Sequence, residues 1–284
     1  MHSTAVAKNP ENVGIEHHEP AIVIAAFGST RSGRAVFNSL HEQLARKYGE
    51  QRIHWAYTSK TIRRKSGGAG LQKTLTTIES AGYSQALVLP LQLFPGGGYQ
   101  RIQEKVQERV RCTAGLQIVT GETLMHRWSY VKDVLAVVEQ DFLRPDEGLN
   151  LIALHGAPVT SDPANGICLG IAELVGSRYA NVMAASLEGV PDQEAVLQKI
   201  ARCGMADHYR RIRLVPLLYT AGMHVEDDLM GQGNSWKNRL QAMGFEVDCL
   251  TTEYEGETFY KSLAAFTQVE AFWLKRVERG LQSF

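Results

Sequence analysis

The feature that most constrains the fold of this chain is an alternation of short apolar runs with helix-like segments. The first run, Ala21 to Phe27, ends at a glycine and is followed by a helical pattern to about Tyr48. A continuous apolar run of this length predicts a strand buried on both faces, as in parallel sheets covered by helices. The alternation indicates an α/β fold. Further strands are predicted at Ile53 to Thr58, Ala86 to Phe94 and Leu116 to Thr120, and helices at Leu71 to Ala81, Tyr99 to Cys112 and Trp128 to Phe142.

The same order of elements repeats after the turn-rich segment Arg144 to Asn150. Apolar runs and helical patterns again alternate to the end of the chain. Strands are predicted at Leu149 to Leu154, Val182 to Leu187, Ile212 to Tyr219 and Glu246 to Thr251, and helices at Gly166 to Arg178, Gln193 to Arg202, Asp227 to Met243 and Glu257 to Gly280.

Matching segments in the two halves indicate an internal duplication. VIAAFGST resembles LIALHGAP, which places Phe27 opposite His155, and VLPLQLFPGGG resembles LVPLLYTAGMH, which places Gly98 opposite His224. Between them, Glu188 falls opposite Lys60 or Ser59. We therefore expect two similar lobes, each a parallel sheet flanked by helices, with a cleft between them. The expected division is a flexible tail over residues 1–20, one lobe over 21–145, and a second over 146–284 that carries the site and ends in a long helix.

Composition narrows the class of ligand. The 284 residues are 44% hydrophobic, which allows a large core, and 30 basic and 30 acidic residues give no net charge. A neutral chain has no global field that would draw it to nucleic acid or to an anionic membrane, so a small or locally recognised ligand is expected.

The first twenty residues lack the apolar stretch of a secretory signal, and no run is long enough to span a membrane. This pattern predicts a cytoplasmic protein. A homo-oligomer is compatible with the sequence.

The four cysteines are widely scattered and form no C-x-x-C pair. This spacing argues against a structural zinc site or a redox motif and favours buried, reduced thiols. Cys112, Cys168, Cys203 and Cys249 are the residues concerned.

Two glycine-rich turns could bring backbone amides close to an anion at the start of a helix. They are the segment GSTRSG, from Gly28 to Gly33, and the run Gly96 to Gly98. Neither matches the P-loop pattern, so the sequence does not support ATP use. Tight strand-to-helix turns without a ligand are the alternative interpretation.

Two histidines and one glutamate follow apolar strands of the second half. His155 and Glu188 each end a predicted strand, and His224 follows the next one. Carboxyl ends of parallel strands share one edge of a sheet, where α/β proteins bind ligands, so these side chains can converge as nitrogen and oxygen ligands for a transition metal. Each could instead be an ordinary loop residue. Their counterparts in the first half cannot form such a site, so we infer one site per chain.

Three acidic residues follow His224 directly, in the segment HVEDDLM. Glu226, Asp227 and Asp228 could deliver metal or orient the imidazole. Acidic residues that suit the positive end of a helix explain them equally well.

At these residues the chain resembles the sirohydrochlorin cobaltochelatases of the CbiK type, within the class II chelatases that also include ferrochelatase. FGST, AYTSKTIRRK, the HGA at His155, the strand ending at Glu188 and AGMHVEDDLMGQGNSWKNRL look like the blocks of that family, in the same order from Ala21 onward. The resemblance implies an ATP-independent chelatase, a lyase that inserts Co²⁺, or else Fe²⁺ or Ni²⁺, into sirohydrochlorin or a related tetrapyrrole in cobalamin biosynthesis. It also implies His155, Glu188 and His224 as metal ligands, with both histidines as proton acceptors.

Ring carboxylates need hydrogen-bond donors, and several polar residues near the glycine turns are available. Ser29, Thr30 and Arg31 are expected to bind the tetrapyrrole, with Gln92 and Gly98 facing it; Arg34, Arg63 and Arg64 are further donors.

The chain also departs from the pattern of that family. Gln92 and Gly98 stand where many members carry a histidine and a glutamate, and Met223 stands where the family has an aspartate before the histidine. Met223 is expected to be a packing residue, although a thioether could favour a softer metal ion. These departures leave open a ferrochelatase-like, nickel-inserting or metal-removing enzyme. A non-catalytic tetrapyrrole or metal carrier with the same fold, and a two-lobed binder of small molecules, are the competing hypotheses.

Overall fold

The first half of the chain forms a parallel four-stranded sheet. The computed structural model describes residues 17–28, 32–113, 115–254 and 256–284, without the side chains of 32–36 and 254. All six residues of the first strand are at most 1% exposed, as the continuous apolar run predicts. The strands are β1 (Ala21–Ala26), β2 (Ile53–Tyr57), β3 (Gln85–Leu91) and β4 (Gln117–Thr120), in the order β2-β1-β3-β4.

The second half forms another parallel sheet with the same order of strands. Its members are β5 (Leu149–Gly156), β6 (Val182–Glu188), β7 (Arg211–Pro216) and β8 (Glu246–Cys249), in the order β6-β5-β7-β8. Pro90 pairs with Ala25 in the first sheet, and Pro216 pairs with Ala153 in the second. The registers thus reproduce the alignment of the two halves, and the expected α/β fold with two similar sheets is confirmed.

Helices flank both sheets. The α-helices are α1 (Ser32–Tyr48), α2 (Lys60–Ser66), α3 (Leu71–Ser80), α4 (Gly97–Cys112), α5 (Trp128–Val138), α6 (Pro163–Arg178), α7 (Gln193–Arg202), α8 (Met205–His208), α9 (Trp236–Ala242) and α10 (Thr267–Leu281), and single 3₁₀ turns lie at Glu50–Arg52, Glu139–Asp141 and Leu263–Ala265.

The helix expected over Asp227 to Met243 is wrong, because the structure divides this segment. A π-helix spans His224–Leu229, and α9 begins separately after Ser235. The break falls in Gly231-Gln232-Gly233-Asn234, whose glycines disfavour a helix. The Ser235 hydroxyl then accepts a hydrogen bond from the Asn238 amide at 3.3 Å and caps the new helix.

The helix expected over Glu257 to Gly280 is wrong in its first part. There, β10 (Glu257–Tyr260) pairs antiparallel with β9 (Thr251–Tyr254), and the predicted strand Glu246 to Thr251 ends already at Cys249. Threonine and aromatic residues favour strands, and Gly256 adopts a φ of 80° in the connecting turn. The helix α10 starts only at Thr267.

The terminal helix α10 packs against the first sheet, although it belongs to the second half of the sequence. Its Gly280 lies directly against the side chain of Leu87 in β3, and the Arg276 guanidinium donates to the Leu124 carbonyl oxygen at 3.2 Å. Trp273 is fully buried in a core cluster that contains residues of both sheets, including Ile24 and Ile152. This helix therefore joins the two halves, and a lobe boundary near residue 145 stays a prediction.

Residues 17–20 of the predicted tail contact the first lobe. The imidazole of His17 stacks on the ring of Tyr83, with centroids 3.9 Å apart, and Glu19 pairs with Arg52 at 2.9 Å. This end of the tail is therefore held against the protein, whereas residues 1–16 lie outside the described part of the chain.

The cysteines divide into two groups. All four are free, and Cys168 and Cys249 are buried as expected. Cys112 and Cys203 are exposed, so the prediction of burial is wrong for them; they lie at the C-terminal ends of α4 and α7, beyond the buried faces of these amphipathic helices. No helix in the described ranges is both long and apolar enough to cross a membrane.

Candidate metal centre

The structure brings His155 and His224 together at the carboxyl edge of the second sheet. Residues 149–154 of β5 are buried, and His155 is the first exposed residue of that strand. The chain leaves β7 at Pro216 and reaches His224 at the start of the π-helix. The two imidazole centroids are 4.8 Å apart and the rings are nearly perpendicular, at 88°.

Each of these imidazoles has an oxygen opposite Nδ1. His155 Nδ1 lies 3.0 Å from the carbonyl oxygen of Gly156, and His224 Nδ1 lies 2.7 Å from Oδ2 of Asp228. Because both oxygens are acceptors, Nδ1 carries the proton in each neutral ring and Nε2 carries the lone pair. Two Nε2 atoms are thereby prepared to accept a proton or to coordinate a metal, as in histidine ligands oriented by a neighbouring oxygen.

The π-helix fixes the position of His224. π-Helical turns are rare and occur frequently at functional sites. Val225 and Leu229 anchor this one in the core with no exposed surface, while Glu226, Asp227 and Asp228 are exposed. Met223, directly before it, is 73% exposed, so the expectation that this residue serves in packing is wrong.

Glu188 lies on the strand beside His155, but its side chain does not join the two imidazoles. It pairs in register with Gly156, and its side chain is exposed. Within the described ranges, no three His, Cys, Asp or Glu side chains are grouped closely enough to hold a metal ion. Glu188 thus lies at the same edge of the sheet as His155, and its role as third ligand stays a prediction.

Close backbone packing holds the His155 loop beside the Glu188 turn. Gly156 has a φ of +70°, and a Cβ on it would overlap the carbonyl oxygen of Glu188. The buried Asn165 donates to the carbonyl oxygens of Ala157 and Val159, both at 3.0 Å, and accepts from the Ala157 amide at 3.1 Å. Beneath the loop, burial raises the pKa of the Cys168 thiol, which therefore remains a neutral packing group.

We expect Gly156→Ala to lower the free energy of unfolding by at least about 2 kcal/mol, because the new methyl group meets a carbonyl oxygen and the backbone has a positive φ. Urea unfolding measures the loss. Gly176→Ala is the matched control: Gly176 lies in α6, and a Cβ there meets nothing within 4 Å. This control should stabilise the protein by roughly 0.5–1 kcal/mol, and a similar response of both variants would contradict the close packing at Gly156.

The candidate residues for the tetrapyrrole are only partly described. Ser29, Thr30 and Arg31 lie outside the described residues. Gln92 and Gly98 are brought together, since a Cβ on Gly98 would lie 2.6 Å from Nε2 of Gln92.

The three other arginines that are predicted donors to the ring carboxylates differ in their surroundings. The Arg63 guanidinium donates to the carbonyl oxygens of Tyr57 and Thr58, at 2.8 and 3.1 Å, so it supports the end of β2 rather than offering a free donor. Arg64 is exposed, and the side chain of Arg34 is not described.

The first lobe has no equivalent of the histidine pair in its described part. Phe27 follows β1 where His155 ends β5, and its side chain is 65% exposed. Tyr57 pairs with Ala26 as Ser186 pairs with Leu154, which places Ser59 opposite Glu188 and resolves the alternative with Lys60. The inference of one site per chain stays a prediction.

A carboxylate that the sequence does not predict lies at the second glycine turn. The amide of Gly97 donates to both carboxylate oxygens of Asp162, at 3.1 and 3.0 Å. The Asp-Pro pair before α6 is a recognisable signature of a helix start. It gives no indication of a partner 65 positions earlier in the chain.

The chain is similar to a known protein family and to several solved structures over most of its length. The family model described as cobalt chelatase (CbiK) matches residues 20–282. SirB from Bacillus subtilis with Fe³⁺ is similar in structure with a TM-score of 0.64, at 14% identity over 93% of this chain and 96% of that one. The sirohydrochlorin chelatase SirB from Bacillus subtilis subspecies spizizenii, in complex with cobalt, gives 0.62, at 16% identity over the same shares of the two chains.

A third solved structure extends the comparison to a larger protein. DR2241 from Deinococcus radiodurans, a multi-domain protein with structural similarity to chelatases, gives a TM-score of 0.53 at 14% identity, and the match covers 92% of this chain and 54% of that one. At these identities the solved structures show a shared fold. The family match extends over nearly the whole sequence, and the chain therefore belongs to the cobalt chelatase (CbiK) family.

Proposed function

We propose that this protein inserts a divalent metal, Co²⁺ in the first place, into sirohydrochlorin or a related tetrapyrrole of cobalamin biosynthesis, without ATP. The observation that carries the proposal is the pair of imidazoles of His155 and His224. Their ring centroids lie 4.8 Å apart, and Nδ1 of each ring is within hydrogen-bond distance of an oxygen atom. Membership of the cobalt chelatase family and the fold shared with a sirohydrochlorin chelatase in complex with cobalt support it.

The chemistry suits this arrangement. Metal insertion into a free macrocycle releases two pyrrole protons, and imidazole is the side chain that exchanges protons near neutral pH. We assign metal binding to Nε2 of His155 and His224 before transfer, and acceptance of the two pyrrole protons to the same two atoms once the metal has passed to the macrocycle and their lone pairs are free. Glu188 is the third ligand in this proposal; its exposed carboxylate reaches the ion by a change of rotamer when metal binds. Two nitrogens and an oxygen suit Co²⁺, Fe²⁺ and Ni²⁺.

Two exposed apolar side chains, one after β1 in the first sheet and one directly before His224, are suited to the flat face of a macrocycle. Phe27 and Met223 are 65% and 73% exposed, at the edges from which the site residues project. We propose that they contact the ring, and that Ser29, Thr30 and Arg31, with Gln92 and Gly98, receive its carboxylates.

The test is an absorbance assay with purified protein, sirohydrochlorin and one metal at a time. We expect Co²⁺ insertion above the rate without protein, and the same rate with and without ATP. Parallel reactions with Fe²⁺ and Ni²⁺ rank the metals. Tight ring binding without insertion of any metal above background would contradict the proposal and identify a carrier.

We expect Asp228→Asn to weaken Co²⁺ binding by roughly 10- to 100-fold, because replacing an acceptor that orients a metal-binding imidazole has effects of this size. The substitution keeps the shape of the side chain and weakens the 2.7 Å contact with His224. Asp227→Asn is the control, since it removes a neighbouring exposed negative charge and leaves that contact intact. Equal Co²⁺ affinities for both variants in a calorimetric titration would assign the effect to charge alone.

We further propose that the protein acts in the cytoplasm and allow for a homo-oligomer. Cell fractionation and light scattering on the purified protein test these two statements.

A further inference from the structure

The carboxylate of Asp162 accepts hydrogen bonds at the N-termini of two helices that belong to different halves of the chain. Within its own helix, Oδ1 accepts from the Ala164 amide at 2.9 Å and so caps α6. The same carboxylate accepts from the amide of Gly97, the first residue of α4, with both oxygens at 3.0 to 3.1 Å. Because α4 follows β3 and α6 follows β5, this contact joins the carboxyl-end loops of the two sheets.

The local chemistry favours a carboxylate at this point. Both helices have 16 residues, and their positive N-terminal ends face the same anion. The approach requires glycine, since a Cβ would lie 2.8 Å from Oδ1 at Gly96 and 2.6 Å from Oδ2 at Gly97. Of the two interpretations of this glycine turn, the structure shows a turn that holds an anion supplied by the chain itself.

This contact lies between the two parts of the proposed site. Asp162 closes the loop that starts at His155 and that Asn165 holds by three hydrogen bonds. Gly97 precedes Gly98, which packs against Gln92 in the region assigned above to the ring carboxylates. We propose that Asp162 is a positioning residue that sets the spacing between the His155 loop and the Gly96–Gly98 turn, and thereby the affinity for the tetrapyrrole; this inference rests on the proposed function.

The first experiment compares Asp162→Ala with Asp192→Ala. Asp192 caps α7 in the same lobe by accepting from the Ala195 amide at 2.9 Å, a bond within its own helix. Fluorescence quenching without metal gives the dissociation constant for sirohydrochlorin. We expect Asp162→Ala to raise that constant on the order of tenfold, because a charge-assisted contact that pre-orders the site is lost. Asp192→Ala should leave it unchanged, and equal constants for the two variants would overturn the proposal.

A double-mutant cycle tests whether the two loops meet in solution. In the wild-type background, Gly97→Ala places a methyl group against the Asp162 carboxylate and should also weaken sirohydrochlorin binding severalfold. In the Asp162→Ala background the obstacle is absent, and Gly97→Ala should add little. Additive effects, or a harmless Gly97→Ala in the wild-type protein, would overturn the proposal.

Hydrogen exchange gives a readout that does not depend on catalysis. Asp162→Ala should speed exchange of the amides at the start of α4, around Gly97, and Asp192→Ala should not. Faster exchange with unchanged sirohydrochlorin affinity would make the contact purely structural and overturn the positioning role. A wild-type protein that binds the ring but inserts no metal would contradict the proposed function and leave the Asp162 result valid. A wild-type protein that binds no ring would overturn both.

Discussion

His155→Ala and His224→Ala are each expected to lower the rate constant for Co²⁺ insertion by about 100-fold or more, the size of effect seen when a general base is removed. The two rings lie 4.8 Å apart, and we assign coordination and proton removal to them jointly. Groups that act as a unit have non-additive effects. The double variant should therefore lose little more activity than the worse of the two single variants.

The absorbance assay measures this loss, and a Co²⁺ titration of each variant separates weak metal binding from slow proton removal. His208→Ala is the control because it removes an exposed imidazole from the same half of the chain, at the end of α8. It should retain the wild-type rate. A folded His155→Ala, His224→Ala double variant that inserts Co²⁺ at the wild-type rate would show that the site lies elsewhere.

Trp273→Ala should lower the free energy of unfolding by about 3–5 kcal/mol, the usual cost of truncating a fully buried aromatic side chain. Trp273 has no exposed surface and packs edge-on against Tyr219, with ring centroids 5.9 Å apart. Since its cluster includes residues of both sheets, the loss should affect the whole molecule in one transition.

Urea unfolding followed by circular dichroism tests this expectation, with a lower midpoint and an unchanged slope as the predicted result. Gln268→Ala, on the exposed side of the same helix, should stay within about 0.5 kcal/mol of wild type. A loss below about 1 kcal/mol for Trp273→Ala would exclude α10 from the cooperative core.

Strands and their repetition could be predicted from sequence because a strand buried on both faces has a local signature. The run at Ala21 can be recognised without knowing its partner strands. The duplicated segments predict equivalent positions for Pro90 and Pro216, and these two residues pair with the equivalent Ala25 and Ala153. His155 could be predicted from a local signature as well, because it is a polar residue that lies between a buried apolar run and a glycine.

Features that depend on contacts between residues far apart in the chain could not be predicted from the sequence. The sequence predicts the sheet edge at which Glu188 lies, but the direction of an exposed side chain depends on its rotamer, which spacing along the chain does not determine. The π-helix at His224 and the hairpin after Cys249 replaced predicted α-helices, because propensity is a weak prior that tertiary context overrides. The contact between Asp162 and Gly97 joins residues whose separation along the chain leaves no local pattern.

The position of α10 has a consequence for how the protein is made. The strands of the first sheet are complete by Thr120, but the helix that covers β3 starts at Thr267. At ribosomal rates of 5–20 residues per second, that sheet waits roughly ten to thirty seconds for its cover. We therefore expect the first half, when it is made without α10, to leave the apolar surface of β3 around Leu87 more exposed to water and to be less stable than the same segment in the whole chain.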